Sequence, residues 1–229
     1  MAATAIWRED VGMNLGLLLF PGLTQLDLTG PFEVFHRIPG AKVHLVWKDL
    51  APVAADSGLR ILPTMTLADC PPFDVVMIPG GFGQIALMED LEILDWLRVQ
   101  AKTAKYMTAV CTGSLLLGGA GLLEGYQATT HWAFTELLAG YGATHAKGRV
   151  VIDRDRITGG GVTAGIDFAL VLAAQLAGED VAKAIQLGLE YNPAPPFEAG
   201  HPDVADPALV ARVRERLVSR GRDRFAKRG

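Results

Sequence analysis

Residues 106–125 read YMTAVCTGSLLLGGAGLLEG. An apolar run, Tyr106–Val110, stops at Cys111, turns through Thr112 and Gly113, and passes into a stretch of helical character over Thr112–Leu123. A short apolar run bounded by a turn reads as a buried strand. The small residues that follow, Gly113, Gly118, Gly119 and Gly121, suit a helix packed closely on a sheet. A cysteine at such a corner has two readings. It is a small core residue, as unpaired cysteines commonly are. Or the corner presents a thiol between a strand end and a helix N-terminus, where amide dipoles lower its pKa.

The segments on either side repeat this alternation. Met13–Phe20 is a strand ended by Pro21-Gly22, and Thr29–His36 a helix with Pro31 in its first turn. Lys42–Trp47 alternates as a strand, and Asp74–Ile78 is a buried strand closed by Pro79-Gly80-Gly81. Glu89–Ala101 and His131–Ala139 read as helices, Arg149–Asp153 and Arg156–Thr158 as short strands. Val162–Leu176 is a strongly apolar helix, and Asp180–Tyr191 and Pro207–Arg224 are amphipathic ones. Apolar strands alternating with helices predict an α/β fold, a doubly wound, mainly parallel sheet flanked by helices. A single domain over residues 1–229 is expected, with a core at about 13–191 and a C-terminal helical extension at about 205–226. The Pro-rich stretch 192–207 is the boundary-like segment.

Composition narrows the function classes. Half of the 229 residues are hydrophobic and a fifth charged, enough for a substantial core and against disorder. A net charge of −4 argues against nucleic acid as a partner. Residues 193–229 nevertheless hold eight Lys/Arg against five Asp/Glu, expected to form a solvated helix face, with a docking surface as the alternative. Two cysteines make no disulfide framework, and no metal-ligand spacing is present, so neither metal nor cofactor is expected. Residues 1–12 lack a signal-peptide pattern and no apolar run reaches membrane-spanning length, which predicts a cytoplasmic protein with no membrane partner.

In open α/β sheets ligands bind beyond the carboxyl ends of the strands, where Cys111 falls. The corner is then the thiol counterpart of the strand–nucleophile–helix elbow of serine hydrolases. Gly80 and Gly81 end another strand at that edge, as a common turn or as backbone amides for an oxyanion site. Asp27, just past the first strand, either caps the helix near Thr29 or is a carboxyl of raised pKa beside the thiol, able to donate a proton. His131, in TTHW, is an imidazole partner for the cysteine or a structural helix start. Phe82 and Trp132 are pocket walls or ordinary core. Gly159-Gly160-Gly161 is a tight turn, or a hinge at Gly160 before the apolar helix. Cys70, in DCPPFD, lacks an activating context and reads as structural.

The sheet pattern, PGG, the AVCTGSLLLGGAGLLEG elbow and the following THW resemble the ThiJ/PfpI superfamily, over roughly Met13 to Tyr191. That resemblance implies the class I glutamine amidotransferase-like, flavodoxin-like fold. FPGLTQLDLTGPFEVF (residues 20–35), taken with Cys111-Thr112 and THW, is most similar to the branch that hydrates isonitriles and to the amidase-like part of AraC-type regulators. Thr112 stands where PfpI-type members have a histidine. Trp132-Ala133 replace the His-x-acidic pattern of glutamine amidotransferases. AraC-type regulators require about a hundred residues after the core, and 38 follow Tyr191. The resemblance therefore implies hydration of a small-molecule isonitrile to a formamide through a thioimidate on Cys111. Asp27 serves as acid then base, with Thr112 in the site, His131 and the Gly80-Gly81 amides supporting. It also implies a homodimer. The alternatives are a glyoxalase- or deglycase-like enzyme acting on small aldehydes and a cysteine redox sensor without turnover.

Overall fold

In the computed structural model, which describes residues 12–226, the chain opens with strand β1 (Met13–Leu18) and helix α1 (Gln25–Phe35). Next come β2 (Ala41–Trp47), the two-residue strands β3 (Val53–Ala54), β4 (Arg60–Ile61) and β5 (Met65–Thr66), and β6 (Val75–Ile78). Helices α2 (Gln84–Leu87) and α3 (Leu91–Gln100) lead to β7 (Tyr106–Val110) and α4 (Gly113–Gly119). Strand β8 (Gln127–Ala128), a 3₁₀ helix (Trp132–Tyr141) and β9 (Thr144–His145) precede β10 (Val150–Asp153) and β11 (Arg156–Gly159). Helices α5 (Ala164–Ala177), α6 (Glu179–Gly188) and α7 (Pro207–Ala226) complete the described chain. The signal-peptide reading of the N-terminus falls largely on residues 1–11, outside the described residues. Among the described residues, no helix is long and apolar enough to cross a membrane.

Seven strands form the central sheet in the order β10-β11-β7-β6-β1-β2-β5, parallel except for the β10–β11 pair. From β1 the chain moves outward through α1 to β2, then returns to place β6 on the other side of β1. That reversal is a topological switch point. Right-handed crossovers put α1 and α3 on opposite faces. Helix α1 packs against α5, and α4 against α2 and the 3₁₀ helix. Covered on both faces, the middle strands are almost continuously apolar: Leu15, Leu17, Val75–Ile78 and Met107–Val110 carry almost no exposed surface, and the one hydroxyl among them, Thr108, donates to the Val76 carbonyl at 2.9 Å. Each large apolar side chain so buried contributes about 1.5–3 kcal/mol.

Register brings the strand ends together. Ile78 lies beside Ala109, and Val110 beside Gly159. The residues that follow, Pro79-Gly80-Gly81, Cys111 and Gly160–Val162, therefore leave the sheet side by side, next to the loop from β1 into α1.

Two expected elements differ, and five short strands are added. Helix α1 begins at Gln25, with Thr24 as its N-cap, so Asp27 lies in the first turn instead of capping it. Pro31 is consequently interior, and it lacks the N–H that would bond the Asp27 carbonyl four residues back. Its ring is accommodated by Gly165 on α5, where an added Cβ would lie 3.2 Å from the proline. The segment after His131 winds as a 3₁₀ helix, closed by Gly142 at φ 72°. The short strands β3–β5, β8 and β9 were not expected, because two residues carry no periodicity.

Candidate active site

Cys111 has φ 56°, the left-handed region that side chains other than glycine rarely adopt. The strain is held by its surroundings. The Cys111 N–H donates to the carbonyls of Gly159 and Gly160, both at 3.0 Å, and the Cys111 carbonyl accepts from Thr130 Oγ1 at 2.7 Å. So fixed, the thiol stands at the end of β7. It meets the Asp27 carboxyl and the backbone N–H groups of Thr112 and Val162. Val162 itself has φ 27°.

The PGG turn builds the rest. Gly80 N–H donates to Asp27 Oδ2 at 3.0 Å, and Gly81 N–H donates to Thr112 Oγ1 at 3.0 Å. A Cβ on Gly80 would come within 2.7 Å of Asp27 Oδ2, Cys111 Cβ and Thr112 N at once. Only glycine lets these three groups converge. Gly81 has φ 124°, open to glycine alone. Both amides thus have partners inside the protein, through which they position Asp27 and Thr112. The donors that face sulfur are those of Thr112 and Val162.

Asp27 is fully buried, and burial pushes its carboxyl up to about 7, with hydrogen bonds from Cys111 and Gly80 pulling against the rise. Its Oδ1 has no donor fixed on it, which leaves it open to exchange a proton with the facing thiol. Cys111, 5% exposed, has its pKa pushed well up, first by burial and then by the Asp27 carboxylate; the two amides oppose this. The low thiol pKa expected from the helix amides is therefore overturned, because desolvation outweighs them. The two groups titrate as a coupled pair, and Asp27 gives up its proton before the thiol does.

A cavity of about 230 Å³ opens over Cys111. Its lining is Thr24, Asp56, Gly81, Phe82, Cys111, Thr112, His131, Phe134, Val162, Leu217 and Arg220. His131 caps the 3₁₀ helix, Nδ1 accepting from Ala133 N–H at 3.2 Å, which assigns the ring proton to Nε2. Burial pulls its pKa down to about 4, so it lines the cavity as a neutral imidazole.

Of the sequence-derived residues, the structure gathers Asp27, Gly80, Gly81, Phe82, Cys111, Thr112 and His131. Trp132 is not a cavity wall. It stacks under Arg214 of α7 at 5.3 Å, and Phe134 takes the wall position, edge-on to Phe82 with centroids 6.1 Å apart. Gly160 has an ordinary backbone, and a Cβ there would meet nothing closer than 3.7 Å, so the unusual angle sits at Val162 instead of the expected hinge glycine. Leu217 and Arg220 were not singled out, since the basic C-terminal face had read as solvated.

A strained cysteine at a strand–helix elbow on the carboxyl edge of a doubly wound sheet, facing a buried carboxyl from the first turn of α1, defines an α/β protein of ThiJ/PfpI type. The DJ-1/PfpI family model matches residues 14–175, and the chain belongs to that family. It is 55% identical to isonitrile hydratase of Pseudomonas putida over 91% of each chain. It is 31% identical to the HTH-type transcriptional regulator GbdR of Pseudomonas aeruginosa, over 75% of this chain but 49% of the regulator. The crystal structure of a ThiJ/PfpI family protein from Pseudomonas syringae superimposes with TM-score 0.91 at 43% identity, covering 96% of this chain and 91% of that one.

Proposed function

We propose that the chain hydrates isonitriles to N-substituted formamides through Cys111. The observation that carries this reading is the Cys111–Asp27 pair at the base of a mainly apolar cavity, and the 55% identity to the Pseudomonas putida isonitrile hydratase supports it. Ionised Asp27 takes the Cys111 proton as Sγ forms a bond to the terminal carbon of R–N≡C. Asp27 returns that proton to the same carbon, giving Cys–S–CH=N–R. The carboxylate then takes a proton from water as its oxygen adds to the carbon, and passes it to nitrogen. The C–S bond breaks, the hydroxyl proton moves to sulfur, and R–NH–CHO leaves. Thr112 and Val162 N–H groups steady negative charge on sulfur at both stages, a task for preorganised donors in a dry site. Thr112 Oγ1 fixes the PGG turn, and neutral His131 supports the cavity wall.

The cytoplasmic location, homodimeric state and single domain expected from the sequence belong to the same reading. Purified protein incubated with 4-nitrophenyl isonitrile is expected to release the formamide, followed by absorbance, and Cys111→Ala to release none. Consumption of methylglyoxal without formamide from any isonitrile would overturn the reading.

A further inference from the structure

Helix α7 lies beyond the stretch matched by the family model, which ends at residue 175, yet it reaches the active-site cavity. Residues 214, 217, 218 and 221 recur at helical spacing and form its less exposed stripe. What the stripe rests on is the rim of the cavity. Arg214 stacks over Trp132 and Arg220 over Phe82, each at 5.3 Å. Gly221 brings the helix backbone close to the Phe82 ring, where a Cβ would sit 3.5 Å away. Leu217 and Arg220 then border the same space as Cys111, Phe134 and His131.

A cavity of about 150 Å³ holds a benzene ring. The roughly 230 Å³ here, bounded on one side by α7, fits a single ring plus the isonitrile group. We propose that Leu217 and Arg220 are specificity-determining residues: α7 is the wall that admits isonitriles bearing one ring or a short alkyl group and turns away bicyclic ones. This rests on the isonitrile reading for its substrate, but the wall itself is a statement about access to Cys111. Removing wall atoms enlarges the space for the substituent, and adding them shortens it. One extra or missing methylene in an apolar pocket shifts discrimination by about 10- to 200-fold.

The test compares ratios of kcat/KM in the full-length chain. Leu217→Ala and Arg220→Ala are expected to raise the 2-naphthyl to phenyl isonitrile ratio at least tenfold. Leu217→Trp is expected to lower the phenyl to methyl isonitrile ratio at least tenfold. Loss of folded protein cancels from each ratio and cannot produce opposite shifts. A second readout needs no turnover: alkylation of the Cys111 peptide by N-phenylmaleimide relative to N-methylmaleimide, measured by mass spectrometry, is expected to rise in Leu217→Ala and fall in Leu217→Trp. If the maleimide ratios move while no isonitrile is hydrated, the wall stands and the substrate reading falls. If isonitriles turn over and both sets of ratios stay within twofold of wild type, the wall is overturned.

Discussion

Cys70, in the loop ahead of β6, is half-buried, and its Sγ accepts from Trp96 Nε1 at 3.1 Å and Gln100 Nε2 at 3.5 Å while donating to the Leu67 carbonyl at 3.1 Å. Cys111 is 5% exposed, sits at φ 56°, faces a carboxyl and opens on a cavity. The more accessible thiol is the one woven into a hydrogen-bond network, its sulfur engaged by Trp96, Gln100 and the Leu67 carbonyl. The more enclosed thiol has the base, the donors and the space. Under the proposed function, solvent exposure alone ranks the two in the wrong order.

Exchanging or removing the features that separate the two corners should break this contrast in graded steps. Cys111→Ala should lower isonitrile turnover by roughly 10⁴-fold or more, as loss of a nucleophile does; Cys70→Ala should retain turnover within threefold, and a comparable loss there would erase the contrast. Asp27→Asn should reduce kcat/KM by about 10²- to 10⁴-fold, the range of general acid–base catalysis. Gly80→Ala should cost about 10²-fold through displacement of Asp27 and Cys111, whereas Gly160→Ala, which has room for its Cβ, should cost little. Equal losses at the two glycines would mean that convergence at Gly80 is not what positions the pair.

The pH dependence sharpens the same point. Below about 7 Asp27 is a neutral acid and cannot take the thiol proton. Wild-type kcat/KM should therefore rise as pH increases through about 7, and Asp27→Asn should lose that step. Stability runs the other way. A carboxyl whose folded pKa is raised from 3.8 to about 7 by burial favours the folded state most at low pH. That contribution is lost as pH climbs through this window, because the unfolded chain releases its proton first. Thermal melts of wild type and Asp27→Asn between pH 4 and 8 should diverge in favour of Asn as pH rises. Parallel curves would show that Asp27 is not the buried acid.

The elbow strand, the PGG turn and Asp27 were legible because buried parallel strands read as apolar runs and their ends fall at one sheet edge. The aromatic wall was less so. A 3₁₀ helix has three residues per turn, so Phe134 comes back against His131, with ring centroids 5.8 Å apart; Trp132 also lies against His131, at 5.6 Å, but Phe134 is the one that lines the cavity. No local pattern distinguished that winding from an α-helix.

The Tyr106–Gly125 segment by itself determined that a thiol stands between a strand and a helix, and the composition of the flanking segments determined the layered α/β fold. Tertiary structure decided the rest. Parallel register set Gly80, Cys111 and Val162 side by side, gave the PGG amides to Asp27 and Thr112, and laid arginines of α7 on Phe82 and Trp132. It also reversed the direction of the thiol pKa. A helix N-terminus is local and readable from sequence, but desolvation depends on every atom packed around the sulfur, and those atoms come from residues far apart in the chain.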